Sequence, residues 1–330
     1  MFFNKRSDNT AVIKEFYSLG TILQFKVYGN KAQQAIDEAM QKVNDIDNKM
    51  SVFKDYSEIS KINKNAGVSA VKVSKQTFYV IKKAVNYSTL SRGAFDPTIR
   101  PVVGLWGIQT ENARIPGKDE INKDLILVDY KDIILDEKNN SVMLKNKNQA
   151  LDLGAIAKGF AADEVSRIFH KNKVKSAIID LGGNVFALGN KIDNNPWNIG
   201  VQDPLSSTGE YVGVIIVTNK SVVTSGNYER YFIKEGKKFH HIIDPLTGNP
   251  SENGIISATI ISDLSIDGDA LSTCAFVMGL ENGRKLIESI KGVEAIFITE
   301  NKYIYTTLGV KNNFELLSNE FLFENSRRVG

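Results

Sequence analysis

The sequence predicts a mixed α/β fold of the α+β kind. Three observations predict it. Residues 21–28 alternate, with Leu23, Phe25 and Val27 on one face, which is the period of a half-buried strand. Ala32, Ala35, Ile36, Ala39, Met40, Val43 and Ile46 then recur every 3.6 residues, the stripe of an amphipathic helix. The second half carries several β-branched runs, and helical patterns separate some of them.

The elements follow in order. A second helix is predicted over 77–88, where Phe78, Ile81, Ala84 and Val85 share a face. Residues 110–148 are polar, and Asn139-Asn140 predicts a hairpin turn between short strands. That segment reads as an insertion or a domain edge. Ala161, Val165, Ile168 and Phe169 form another helical stripe. Strands are predicted over 211–217, 255–261, 295–299 and 303–306. A sub-boundary falls near 148–151, although no linker marks it.

The chain has 330 residues, 42% of them hydrophobic and 24% charged. These values describe a globular chain and exclude disordered, fibrous and membrane-embedded classes. Residues 270–280 are uncharged but far shorter than the roughly 20 apolar residues of a membrane helix. The net charge of +3 gives no reason to expect nucleic acid or an anionic membrane as a partner. The single cysteine, Cys274, excludes an intramolecular disulfide and a cysteine-rich zinc site. The histidines are His170, His240 and His241, and His170 reads as a helix-surface residue. Soft-metal chemistry is disfavoured, and oxygen-ligated hard metals stay open.

Four segments interrupt otherwise foldable patterns. Gly93-Ala94-Phe95-Asp96-Pro97-Thr98 precedes Pro101 and Gly104-Leu105-Trp106-Gly107. Pro97 pushes Asp96 out of helical geometry, so the stretch is either a ligand loop or a tight turn under a core tryptophan. Leu151-Asp152-Leu153-Gly154-Ala155-Ile156-Ala157-Lys158-Gly159-Phe160 opens a helix, where free N–H groups and a lysine suit an anion, unless the stretch is an ordinary loop-to-helix junction. It lacks the Gly-Lys-Ser/Thr ending of a Walker A loop. Asp180-Leu181-Gly182-Gly183-Asn184 divides two apolar runs as a turn or a ligand lip, without the dinucleotide fingerprint.

The fourth segment has two parts. His240-His241 precedes Ile242-Ile243-Asp244-Pro245-Leu246-Thr247-Gly248. Asp269 and Thr273 lie four residues apart, one helical turn, where a carboxylate and a hydroxyl can share a hard cation such as Mg²⁺. The simpler alternative makes Asp269 the N-cap of its own helix. Together the segments hold an anion loop, a lysine, a carboxylate–hydroxyl pair and a histidine, the inventory of Mg²⁺-assisted phosphoryl chemistry.

This ordered series resembles the FAD:protein FMN transferase family, the ApbE-like proteins. The matching stretches begin with Leu19-Gly20-Thr21, Met50-Ser51-Val52-Phe53, Ser57-Glu58-Ile59-Ser60-Lys61-Ile62-Asn63 and Gly93 to Thr98. They continue through Asp152 to Gly159, Asp180 to Asn184, and Thr224-Ser225-Gly226-Asn227-Tyr228-Glu229-Arg230. The last are His241 to Gly248 and Asp269-Ala270-Leu271-Ser272-Thr273.

The resemblance covers about residues 17 to 309. It implies a two-lobed fold with FAD in a cleft between sheet-and-helix lobes. It also implies Mg²⁺-dependent transfer of FMN from FAD to a threonine or serine of an acceptor flavoprotein, with release of AMP. By the same resemblance the Ala155 carbonyl, Asp269 and Thr273 hold the metal. Phe53, Ala94, Phe95, Asp96, Asp152 and Lys158 contact FAD, with Phe53 and Phe95 covering its flat rings. His241, also placed at the FAD site, takes the proton of the acceptor hydroxyl or positions the acceptor. Phe53 stands where the family often has tyrosine. An FAD pyrophosphatase yielding FMN and AMP, and a non-catalytic FAD-binding module, are the alternatives.

The resemblance divides the chain into an extension over 1–16, a transferase domain over 17–309 and a tail over 310–330. Family members are usually exported lipoproteins. Residues 1–10 show neither the apolar core of a secretory signal nor a cysteine. The expected location is the extracytoplasmic face of the cytoplasmic membrane, after processing, with a cytoplasmic location as the alternative.

Overall fold

The computed structural model describes residues 10–324, apart from 109 and 208. Residues 1–9 of the stretch read for a signal, and residues 325–330 of the tail segment, lie outside the described residues.

The chain opens with β1 (Val12–Ser18) and β2 (Thr21–Tyr28), then α1 (Ala32–Met50) and α2 (Glu58–Lys64). It continues with β3 (Val71–Lys72), α3 (Lys75–Leu90), α4 (Arg100–Trp106), α5 (Lys118–Leu125), β4 (Ile133–Asp136) and β5 (Ser141–Leu144). Next come α6 (Ala157–Lys171), β6 (Ser176–Asp180), β7 (Asn184–Leu188), β8 (Trp197–Gln202), β9 (Tyr211–Val217) and β10 (Lys220–Gly226). The remainder is β11 (Tyr231–Lys234), β12 (Lys237–His240), β13 (Ile255–Ser262), α7 (Ser265–Glu288), β14 (Glu294–Thr299), β15 (Tyr303–Thr306), β16 (Phe314–Leu316) and β17 (Leu322–Phe323). The expected mixed α/β class is what the chain adopts.

A nine-stranded sheet in the order β1-β2-β6-β7-β10-β13-β14-β15-β17 forms the centre. Its pairings are antiparallel except β15 with β17. The alternation in β2 buries Leu23, Phe25 and Val27 completely beneath the helices. Each such side chain contributes about 1.5–3 kcal/mol when fully buried. The predicted stripe of α1 is its buried face, and α6 and α7 pack in the same core. Part of the other sheet face is covered by β8 and β9, which with β16 form a three-stranded sheet. All of β13 is therefore buried, with Ala258 and Ile260 under the helices and Ile256 and Ile261 under the smaller sheet.

The Asn139-Asn140 turn connects β4 to β5, with Asn140 at a φ of 51°. Beyond residue 310, β16 and β17 join the sheets, and Phe314 and Phe321 are buried. A third, smaller core gathers Val102, Trp106, Ile121, Phe239 and Ile243 from α4, α5, β12 and the stretch that follows β12. No helix among the described residues is long and apolar enough to cross a membrane.

Candidate active site

The site begins where two helices start side by side. The first N–H groups of a helix have no partner within it. Neither α6 nor α7 supplies its own side-chain cap, because Ile156 and Leu264 stand at the capping positions. Each helix instead caps the other. Asp269, in the second turn of α7, accepts the N–H of Gly159 in α6 at 2.8 Å. Asp163 of α6 accepts the N–H groups of Ser265 and Ile266 in α7, at 2.7 and 3.0 Å. Asp269 is thus a helix cap, but of α6 and not of its own helix. Burial pushes the Asp163 carboxyl up to about 6, against the pull of its two donors.

Glycine is required at 159. A Cβ there would stand 2.3 Å from the Ser265 carbonyl and 2.7 Å from the Asp269 Cβ. The close approach brings the positive ends of two helices to one point. Lys158 adds its charge, with Nζ 3.6 Å from Asp269 Oδ1 and 3.4 Å from the Gly154 carbonyl.

Thr273 follows one turn after Asp269, as the spacing requires. Its hydroxyl lies 3.3 Å from Ser225 Oγ on β10, which also meets Ser272 Oγ at 2.8 Å. Ser272 donates in turn to the Asp269 carbonyl at 2.9 Å. The Ala155 carbonyl lies in the turn just before α6. A carboxylate, a hydroxyl and a carbonyl form an all-oxygen donor set. Among the described residues no group of three or more His, Cys, Asp or Glu gathers to hold a metal ion. Oxygen donors of these three kinds are those that a hard ion such as Mg²⁺ takes. Asp269 is 4% exposed, and among the described residues Lys158 is the one cation within ion-pair reach of it.

The loop from Gly93 reaches this site through a small core. Asp96 is buried and fully engaged: Oδ1 accepts from the Thr98 N–H and hydroxyl at 2.8 and 2.6 Å, and Oδ2 from the Tyr130 N–H at 2.8 Å. Burial raises its pKa and these bonds oppose the rise. Ala94 is buried beside it, and Phe95 is 4% exposed in the main core. The Phe95 ring is therefore not a platform for a flat ligand, contrary to the sequence expectation. Trp106 Nε1 donates to the Gly248 carbonyl at 2.8 Å, and its ring stacks on Phe239 at 5.6 Å. These contacts tie the Gly93–Trp106 stretch to the His241–Gly248 stretch.

The two adjacent histidines differ. His240 Nε2 donates to the Ser251 carbonyl at 3.0 Å and Nδ1 accepts the Ile242 N–H at 3.3 Å, so both nitrogens serve the fold. His241 Nδ1 lies 3.2 Å from the Arg230 carbonyl. A carbonyl only accepts, so Nδ1 carries the proton and Nε2 keeps its lone pair. Loss of surrounding water, then the charge of Arg230, pushes the His241 pKa down to about 3. The ring is neutral at pH 7 in the ligand-free chain.

Phe53 is 77% exposed, and the Arg100 guanidinium lies 5.0 Å from its ring centroid. Arg100 also pairs with Asp152 Oδ2 at 3.5 Å, while Asp152 Oδ1 accepts the Gly154 N–H at 2.8 Å.

Sequence reasoning did not assign Asp163, Ser225, Glu229, Arg230 or Arg100. Glu229 stands among Lys158, Arg230, Asp269 and Asp180, and loss of surrounding water raises its pKa. The residue is nonetheless exposed at the surface. Ser225, Glu229 and Arg230 lie within the stretch quoted for the resemblance, the one signal that points to them. The Asp180–Asn184 segment is the tight turn between β6 and β7, with Gly182 and Gly183 at φ of 66° and 86°. A Cβ on Gly182 would lie 2.5 Å from Thr21 Cγ2, so this turn packs directly on the start of β2.

The model of the ApbE family matches residues 19–297. An FAD:protein FMN transferase of Treponema pallidum is 33% identical over 323 residues, covering 93% of this chain and 89% of that protein. One from Klebsiella pneumoniae is 36% identical over 298 residues, covering 90% and 92%. An ApbE protein of Thermotoga maritima superposes with a TM-score of 0.86 at 33% identity, over 92% of this chain and 99% of that one. The flavin transferase ApbE of Vibrio cholerae gives 0.82 at 25% identity, with the same coverage.

Proposed function

Because the chain belongs to the ApbE family, we propose that it is an FAD:protein FMN transferase, moving FMN from FAD to a threonine or serine hydroxyl of an acceptor protein. The observation that carries this reading is the meeting of Asp269, Gly159 and Lys158 at two helix N-termini. A pyrophosphate bridge spreads negative charge over several oxygens, and phosphoryl transfer needs mainly positioning and charge neutralisation.

In this reading FAD lies against Phe53, Ala94, Phe95, Asp96 and Asp152, with Phe95 and Asp96 contributing main chain. Lys158 faces the phosphates. The acceptor hydroxyl oxygen bonds to the phosphorus on the FMN side. The phosphorus–oxygen bond to AMP breaks, and AMP leaves with the bridging oxygen. The hydroxyl proton passes to Nε2 of His241, which the Arg230 carbonyl holds in the required tautomer. The Ala155 carbonyl, Asp269 and Thr273 would hold Mg²⁺, which supplies charge neutralisation at the phosphates when bound. The bound phosphates also raise the basicity of His241 by opposing the cations that depress it.

We place the reaction on the extracytoplasmic face of the cytoplasmic membrane, and N-terminal analysis of the native protein tests that placement. Product analysis tests the chemistry. Incubation with FAD and Mg²⁺ should release AMP at a rate that depends on an acceptor protein. Equally rapid FMN and AMP release without acceptor would replace transfer with FAD hydrolysis. Tight FAD binding with no AMP would make the chain a binding module.

A further inference from the structure

We propose that Arg100 is a positioning residue for FAD, holding the Phe53 ring from behind so that its open face receives a flat ring of the dinucleotide. This inference rests on the FAD reading above. Phe53 is an unusual ring: 77% exposed and, among the described residues, outside every apolar cluster. An exposed phenyl group normally turns freely, and fixing it costs rotamer entropy. Here the N–H of Phe53 donates to Ser51 Oγ at 3.2 Å, which fixes the backbone. The guanidinium of Arg100 lies 5.0 Å from the ring centroid, within cation–π range.

Arg100 is itself held. It is the first residue of α4, two positions after Thr98, and its guanidinium pairs with Asp152 Oδ2 at 3.5 Å. Asp152 accepts the Gly154 N–H at 2.8 Å, in the turn that leads to Ala155 and Lys158. Arg100 thus joins the ring platform to the phosphate-facing turn through two contacts. A planar cation suits this role because it stacks on one partner and ion-pairs with the other at once. A lysine keeps the charge and loses the plane.

The test uses the full chain with FAD in MgCl₂. Arg100→Ala should raise the KM and Kd for FAD about 10-fold, the scale of one partly desolvated cation–π contact, and lower kcat far less. Arg100→Lys should recover only part of the loss. Quenching of flavin fluorescence on binding, a stacking signature, should weaken in Arg100→Ala as it does in Phe53→Ala. The double variant should bind FAD less weakly than the sum of the two single losses, because the Arg100 effect that passes through the ring is already gone in Phe53→Ala. Wild-type affinity and quenching in Arg100→Ala would overturn the inference while leaving the FAD reading intact. Additive losses in the double variant, or full recovery by lysine, would also overturn it. Failure of the wild-type chain to bind FAD would overturn the FAD reading and this inference together.

Discussion

Asp269 of α7 accepts the N–H of Gly159 in α6 at 2.8 Å, so a residue expected to bind metal also fixes the start of the anion-facing helix. The two roles use different oxygens. Oδ2 takes the N–H, while Oδ1 faces Lys158 at 3.6 Å and is the one open to a cation.

The two roles separate by substitution. Asp269→Asn keeps an oxygen for the Gly159 N–H and loses the charge. It should melt near wild type and lose Mg²⁺-dependent turnover by about 100-fold or more, the scale of a lost charge-stabilising group. Asp269→Ala loses both and should also be destabilised by about 1–3 kcal/mol. Thermal melts and turnover measured on both variants check this. Wild-type-like turnover in either would leave Asp269 as a cap alone.

Gly159→Ala drives a Cβ into the Ser265 carbonyl and the Asp269 side chain. The helix starts must separate, at a stability loss of about 1–3 kcal/mol. Denaturant unfolding measures the loss, and FAD turnover should fall with it. An unchanged midpoint would show that α6 and α7 can part freely.

Trp106 connects the loop after Gly93 to the turn after His241. Trp106→Phe keeps most of the packing but leaves the buried Gly248 carbonyl without its donor, at about 1–3 kcal/mol. Its effect on catalysis should follow the displacement of His241, so the KM for the acceptor should rise more than that for FAD. Equal effects on both substrates would refute the link.

His241 stays neutral down to about pH 3 in the fold, against 6.5 for the free group. Between these values the unfolded chain binds a proton that the native state refuses. Stability therefore falls as pH drops through that window. His241→Asn removes this contribution. Urea midpoints at about pH 7.5 and about pH 5 should differ less in the variant than in wild type. Identical differences would place His241 in a solvated setting.

Much of the fold is legible because its signals are local. The alternation at Leu23, Phe25 and Val27 and the α1 stripe each answer to one buried face. The Asp269–Thr273 spacing is legible for the same reason, since one helical turn fixes it. The reciprocal caps are not, because Gly159 and Asp269 lie 110 positions apart and nothing near either names its partner. Arg100 escapes notice likewise: its partners Phe53 and Asp152 come from different segments, and an arginine opening a helix is ordinary. Phe95 misled, since an aromatic beside a ligand loop and an aromatic in the core look alike in sequence.

The account stands most directly on the intact mass of an acceptor flavoprotein, prepared without flavin and incubated with this chain, FAD and Mg²⁺. It predicts an added mass of one FMN less one water, on a single threonine or serine, with one AMP released per label. An acceptor of unchanged mass while FAD is consumed to FMN and AMP would contradict it.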